Sequence, residues 1–303
     1  MFLGLVSAMR KYWTDAMVSP FVVSKTGLCG RRELVDPSLA SSYGIGDLQV
    51  CDYQHFDSNQ FKDCTVFHHV LGHTRPIIFP SSCRYIVVNH TNTNITRLPK
   101  FKPYCTVCVS EHFTTNVKAK TRLKPLTILN GCEDYYDTQP SLQDPRLKVG
   151  RCQRVVPTKF RKERIDVNCV HYVVGPVKSE QMLDTQHKFL GPVFDKHKKL
   201  SLIKSFDVYL HDSQPEGASM AVLEALSCGT PVVARDVGGG IRELVIHKRN
   251  GYLFRDGKQL NHILQRLTDK NKLQDLKQSV RRDFLERLHI KHSLNHYRKL
   301  LLA

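Results

Sequence analysis

From residue 60 onward, short apolar runs alternate with stretches whose apolar positions recur at helical spacing. This alternation predicts βαβ units and parallel sheets, with ligands held at the carboxyl ends of the strands. A first series of strands is expected over CTVFHHV (64–70), RYIVVNH (84–90), YCTVCVS (104–110) and LTILN (126–130). Each runs straight into polar residues: His68 and His69, His90, Ser110, and Asn130 with Gly131. Residues 132–146, CEDYYDTQPSLQDPR, are turn-rich and aperiodic, and are expected to link two domains.

A second series follows in LKVGRCQ (147–153), VNCVHYVVG (167–175), KFLG (188–191), DVYLHDS (207–213), TPVVARD (230–236) and GYLF (251–254). The tail from Gly257 to Ala303 is helical by period, with Leu260, Ile263, Leu264 and Leu267 on one side and basic residues between. The expected organisation is an N-terminal domain over 1–135, a C-terminal domain over 146–285 and a helix over 286–303 that crosses back to the first domain. Near the start, KYWTDAM reads as a helix and SPFVVSK as a strand. No opening strand followed by a glycine-rich turn is found, so the N-terminal domain is expected to be abbreviated.

Composition adds to this picture. A chain of 303 residues with 41% hydrophobic content can build two ordinary cores. Lys+Arg of 45 against Asp+Glu of 28 leaves a net charge of +17, a field that recruits something anionic: a phosphorylated donor, an anionic membrane or a nucleic acid. Of ten cysteines, Cys64, Cys105, Cys108, Cys169 and Cys228 lie within or beside predicted strands and helix ends, and no signal peptide precedes them, which favours a reducing, cytoplasmic location, including the cytoplasm of a virus-infected host cell. Cys105 and Cys108 have the spacing of a metal knuckle, but no second CxxC accompanies them and they are assigned to core packing. The sequons at Asn89 and Asn94 carry no weight in a cytosolic chain. No apolar run approaches the ~20 residues of a membrane span, so any membrane contact is expected to be peripheral.

The stretch from Pro215 to Ala234, PEGASMAVLEALSCGTPVVA, concentrates the chemistry. DVYLHDS is the strand, QPEG its exit loop, and SMAVLEALSCG a helix closed by Gly229. Glu216 therefore lies at the carboxyl edge of the sheet and Glu224 about two turns into the helix. Gly217, Ala218 and Ser219 place small side chains and free N–H groups at a helix N-terminus, which suits a phosphate or a sugar hydroxyl. The two carboxylates can accept hydrogen bonds from vicinal diols. Taken alone, the same pair also reads as one glutamate favoured by the helix dipole and one solvated on a helix face.

The run DVYLHDSQPEGASMAVLEALSCGTPVVARDVGG resembles the donor-binding signature of retaining GT-B glycosyltransferases, family 4 and relatives: Glu, seven residues, Glu, then Ala-x-x-x-Gly-x-Pro-Val-Val-Ala and a Gly-Gly turn. The likeness continues through RELVIHKRNGYLF (242–254), and weaker matches run through ILNGCED (128–134) and CVSEHF (108–113), so that it covers about residues 60–255. The fold it implies is α/β, with two Rossmann-like parallel-sheet domains facing a cleft. The activity it implies is transfer of a hexose or pentose from a nucleoside-diphosphate sugar, with a UDP-sugar as the first choice of donor and no cofactor.

By the same resemblance, Glu224 holds the nucleotide ribose and Glu216 contacts the donor sugar. His90, at the end of a strand written VVNH, stands near the transferred sugar. Arg154 and Lys159 match the family's cationic pair for the donor diphosphate by their spacing, and Arg151, in the Gly150–Arg151 pair, is a rival. Two cations on a leaving diphosphate stabilise charge that grows in the transition state. The bland alternative is a solvated basic patch, since the segment 146–164 is rich in Lys and Arg. No strong nucleophile is needed for front-face departure and attack. The family's N-terminal glycine-rich loop has only Gly44 and Gly46 as a weak counterpart, and no Asp-x-Asp pair exists, which argues against the metal-dependent single-domain class.

The surplus of positive charge points to an acceptor carried on a polyanionic surface. One candidate is hydroxymethylated DNA of viral type, gripped by basic stretches such as VKAKTRLK (117–124); the other is a lipid-linked glycan at an anionic membrane. A third reading is a non-catalytic nucleotide-sugar or nucleic-acid binding module. The oligomeric state is not legible.

Overall fold

The computed structural model describes residues 2–14, 21–24, 49–52, 62–70, 80–90, 105–161 and 163–302. Gly44, Gly46 and Asn94 lie outside them, as do the side chains of His68 and His69. The chain divides into two compact units: Met1–Val109 with Thr114–Ile128 and Ile290–Ala303, and Ser110–Phe113 with Leu129–His289. Both are built on parallel sheets.

The first unit opens with helix α1 (Phe2–Tyr12), followed by a parallel pair, β1 (Phe21–Ser24) and β2 (Gln49–Asp52). The helix expected over KYWTDAM shares Lys11 and Tyr12 with α1, the buried Trp13 follows, and residues 15–17 lie outside the described residues. A four-stranded parallel sheet comprises β3 (Thr65–Val70), β4 (Arg84–Asn89), β5 (Cys105–Cys108) and β6 (Leu126–Thr127), in that spatial order. Ile86, Val87 and Val88 in the middle of β4 are all fully buried, as a strand covered on both faces requires. Helix α2 (Glu111–Lys120) connects β5 to β6. Cys108 is buried in β5, as the core assignment of the CxxC pair expects. The last helix, Ile290–Leu302, belongs to this unit; its Tyr297 packs edge-on against Phe67 at 5.6 Å, and Arg84 donates to the carbonyl of Leu301 at 2.6 Å.

The second unit carries six parallel strands: β7 (Leu147–Cys152), β8 (Cys169–Val174), β9 (His187–Phe189), β10 (Val208–His211), β11 (Val232–Arg235) and β12 (Gly251–Phe254). Their spatial order is β12-β11-β10-β7-β8-β9. Renumbered within the unit this is the doubly wound order 3-2-1-4-5-6, whose connections reverse direction between β7 and β10. Alternation along the strands serves both faces. Tyr209, Val232 and Ala234 join one core with Leu200 and Ile203 of α3 (Lys196–Ser205) and Val222, Leu223 and Leu226 of α4 (Met220–Ser227). Val149, Val208, Leu210 and Val233 join the other. Leu260, Ile263 and Leu264 of the amphipathic helix Gly257–Leu267 cover that second face. The fold is that of two parallel-sheet α/β units.

Residues 132–146, expected as a linker, pack on the second unit. Arg281 grips Asp134 with two hydrogen bonds of 2.6 and 2.8 Å and lies 4.4 Å from the Tyr136 ring centroid, while Ser205 Oγ accepts from the N–H groups of Ser141 and Leu142. Among the described residues no helix is long and apolar enough to cross a membrane.

Candidate functional site

Ligands of doubly wound sheets bind in the crevice outside the strand carboxyl ends where the connections change direction. In the second unit that point lies between β7 and β10. The residues leaving these two strands are Cys152 to Arg161 and Asp212 to Ser219.

Gly229 sets the frame for the second of these segments. Helix α4 ends at Cys228, and Gly229 follows at φ +76°, a left-handed conformation that suits glycine. Its N–H donates to the carbonyl of Leu226 and that of Thr230 to Ala225, which closes the helix and turns the chain into β11. At the other end, Ser219 is the N-cap but makes no side-chain capping bond, so the first-turn N–H groups of α4 keep their capacity for an outside acceptor. Gly240 packs directly on the carbonyl of Gly217, and its N–H donates to the carbonyl of Glu216 at 2.9 Å. A side chain at Gly217 would run into the ring of Phe113. The Gly-Gly turn and the PEGAS loop are therefore packed backbone to backbone.

Two carboxylate–lysine pairs stand on this frame. Glu216 Oε1 accepts from Lys159 Nζ at 2.7 Å, with about 30% of each side chain exposed. Burial pushes the Glu216 carboxyl up, but the Lys159 ammonium outweighs it and leaves the group below its ordinary value. It is ionised at neutral pH. Glu224 Oε1 accepts from Lys199 Nζ of α3 at 2.6 Å. The loops after β7 and β10 are joined further by the N–H of Gln214, which donates to the carbonyl of Thr158 at 2.9 Å. Arg154 is exposed in the first of these loops. Lys159, Glu216, Gly217, Ala218 and Ser219 come together at the switch point, and Glu224 follows on α4.

Arg151 does not join them. Its side chain is fully buried, and its Nη1 donates to Asp212 Oδ1 at 2.8 Å. Its Nε donates to His171 Nε2 at 2.9 Å, so that ring is neutral with its proton on Nδ1. Burial, then the Arg151 charge, then His187 hold the His171 imidazole well below its ordinary value. Arg151 is thus not placed to meet a phosphate, because a wholly enclosed guanidinium with charged and neutral partners has no face toward solvent. His211, at the end of β10, is also buried, and burial lowers its pKa despite the nearby Glu216 and Asp212 charges. His90 lies half-buried at the carboxyl end of β4 in the first unit.

Several members carry no legible signal in the sequence. Lys199 is 25 residues from Glu224 and sits in a helix with four other basic side chains, so only packing singles it out. Glu243 accepts from the N–H groups of Glu111 and His112 at 2.8 and 3.0 Å, at the start of α2, where the dipole favours a carboxylate. Asp212, in the HDS end of a predicted strand, could have been found by its position alone.

Comparison with known proteins follows the same lines. Residues 177–283 match the family described as "Glycosyl transferases group 1". An uncharacterized glycosyltransferase of Methanocaldococcus jannaschii is 30% identical over 116 residues, which cover 37% of this chain and 29% of that protein. The match thus spans less than a third of that relative's length. A crystal structure of Anabaena HepE in complex with UDP and glucose superposes with a TM-score of 0.68 at 18% identity, covering 99% of this chain and 95% of the other. A glycosyltransferase from Rickettsia africae gives a TM-score of 0.68 at 12% identity, covering 99% of this chain and 92% of that one. The fold is the GT-B glycosyltransferase fold.

Proposed function

We propose that the chain is a glycosyltransferase that binds a nucleoside-diphosphate sugar in its second unit and passes the sugar to an acceptor hydroxyl. The observation that carries this reading is the convergence of Lys159 and Glu216 at the switch point, beside the open first turn of α4 and the Glu224–Lys199 pair. In the reaction the bond from the sugar C1 to the diphosphate oxygen breaks and its electron pair stays on the diphosphate. A new bond forms from the acceptor oxygen to C1, and the acceptor proton passes to the departing diphosphate oxygen. Lys159 and Arg154 meet the negative charge that grows on the leaving diphosphate, joined by the first N–H groups of α4.

Glu216, held ionised, accepts from sugar hydroxyls and favours positive charge at C1; it does not act as an acid. An ammonium has three donors, so Lys159 can keep Glu216 while binding a phosphate oxygen. Glu224 accepts from the ribose diol, with Lys199 fixing its carboxylate. UDP is the nucleotide we favour, because the HepE structures hold UDP and UDP-glucose. Retention of configuration without a metal follows from the Glu-x7-Glu resemblance and the absence of an Asp-x-Asp pair.

For the acceptor we favour a polyanionic carrier, on account of the net +17 charge and the exposed Lys118, Lys120, Arg122 and Lys124. Hydroxymethylated DNA is the form tested first, with a lipid-linked glycan at an anionic membrane as the competing source.

The test is release of UDP from a panel of UDP-sugars in chelator, with and without hydroxymethylated duplex DNA, together with calorimetric binding of UDP. Glu224→Ala is expected to weaken UDP binding at least about tenfold, the loss of one charge-assisted hydrogen-bond site. Unchanged affinity would sink the site. Release stimulated by anionic vesicles carrying a lipid-linked glycan and not by DNA would move the acceptor to the membrane. Binding without turnover on any acceptor would mark a binding module.

A further inference from the structure

Arg151 is enclosed at the edge of the site rather than in the middle of the core, and its partners have a pattern. Its Nη1 donates both to Asp212 Oδ1 at 2.8 Å and to the carbonyl of Arg161 at 3.2 Å. The guanidinium carbon lies 4.5 Å from the Phe160 ring centroid. Asp212 Oδ1 also accepts from the N–H of Arg161 at 3.4 Å. The pair therefore holds Phe160 and Arg161, the two residues that follow Lys159. On the preceding side Gln153 Nε2 donates to the carbonyl of Lys159 itself. Nε donates to His171 in β8, while Nη2 is buried without a hydrogen-bond partner.

A buried ion pair is poor value as a stabilising device, because desolvation cancels most of its attraction. It is well suited to fixing geometry. The planar fork of an arginine directs donors toward several strands and a loop at once, which a lysine cannot do. A loop already ordered before binding spends no further conformational entropy when a ligand arrives.

We infer that Arg151, clamped by Asp212, is a positioning residue that holds the 153–161 loop so that Lys159 meets the donor diphosphate, and that Arg151 itself touches no ligand. This rests on the reading of Lys159 as a diphosphate-binding residue.

The test uses the full chain with Arg151→Lys, Lys159→Met and the double variant, checked for folding by circular dichroism and melting. Amide exchange is followed in the ligand-free protein, and UDP binding by calorimetry. In Arg151→Lys the amides of Lys159, Phe160 and Arg161 should exchange at least about tenfold faster, with those of β10 and β11 unchanged, and UDP affinity should fall about tenfold. The double variant should lose less than the sum of the two single losses, because Arg151 acts through the loop that carries Lys159 and Arg154. Additive losses would overturn the inference by showing that Arg151 contacts UDP directly. A lower melting temperature with unchanged loop exchange and affinity would overturn it as well, leaving an ordinary structural residue. If the wild-type chain binds no UDP while the loop amides respond as expected, the donor reading fails and the clamp stands. Where Arg151→Lys does not fold, Asp212→Asn loosens the same clamp from its other side and is scored by the same criteria.

Discussion

Acid should destabilise the second unit well above the pH at which carboxylates titrate, and His171 is the main cause. Burial, Arg151 and His187 together hold its pKa well below the ordinary 6.5. His211 is shifted in the same direction by burial. The sign follows from linkage. Below pH 6.5 the unfolded chain takes up protons that the folded chain refuses, so stability is complete above 6.5 and falls as the pH drops. At pH 5.0 the unfolded state gains RT ln(1 + 10^1.5) per histidine, so the loss is up to about 2 kcal/mol for each of His171 and His211, reached in full where the folded imidazole stays neutral. That is a large part of the 5–15 kcal/mol typical of a domain. Glu216 and Asp207 are held low, since their lysine partners outweigh burial; they lose their contribution only as the pH falls below the ordinary carboxylate range. The window from pH 7 to 5 therefore isolates the histidines. Urea unfolding at pH 7, 6 and 5 should be followed by far-ultraviolet circular dichroism and by amide exchange in β10, because the single Trp13 belongs to the first unit. His171→Gln keeps an acceptor for Arg151 and should remove up to about 2 kcal/mol of the loss between pH 7 and 5. A variant with the full wild-type slope, or a wild type more stable at pH 5 than at pH 7, would refute the assignment.

Three further outcomes are expected. Leu210→Ala, in the fully buried centre of β10, should lower the urea unfolding free energy by about 2–5 kcal/mol, since it deletes contacts in a covered sheet. Gly229→Ala should cost about 1–2 kcal/mol through its left-handed backbone, more if Tyr136 cannot move from the added Cβ, read as a lower melting temperature. Burial pushes the Cys152 and Cys228 thiols up to about 12, leaving a thiolate fraction near ~10⁻⁴ at pH 8, whereas Cys64 is exposed. Site-resolved mass spectrometry after thiol labelling should find Cys64 modified in the native protein and the other two only in denaturant.

The sequence by itself determined the strand series of the second unit. Parallel strands buried on both faces must be written as continuous apolar runs, and VYLH, VVAR and GYLF are such runs closed by turn residues. It also placed Glu216 before α4 and Glu224 within it, because the helix start, the helix period and Gly229 are local signals. The short β2 had no such signal, and α1 begins nine residues before the helix read in KYWTDAM. The turn-rich stretch 132–146 looked like a linker because polar and turn residues do not reveal that an arginine 147 positions away holds Asp134. Arg151 shows the same limit most sharply. Arg151, Arg154 and Lys159 are equivalent cations by composition and nearly so by spacing. Only the tertiary structure separates them, by enclosing Arg151 between Asp212, His171 and Phe160, which lie 61, 20 and 9 residues away in the chain. Which lysine meets which carboxylate was likewise decided by strand order. The reversal between β7 and β10 brings two distant loops to one edge, and local sequence does not encode long-range pairing.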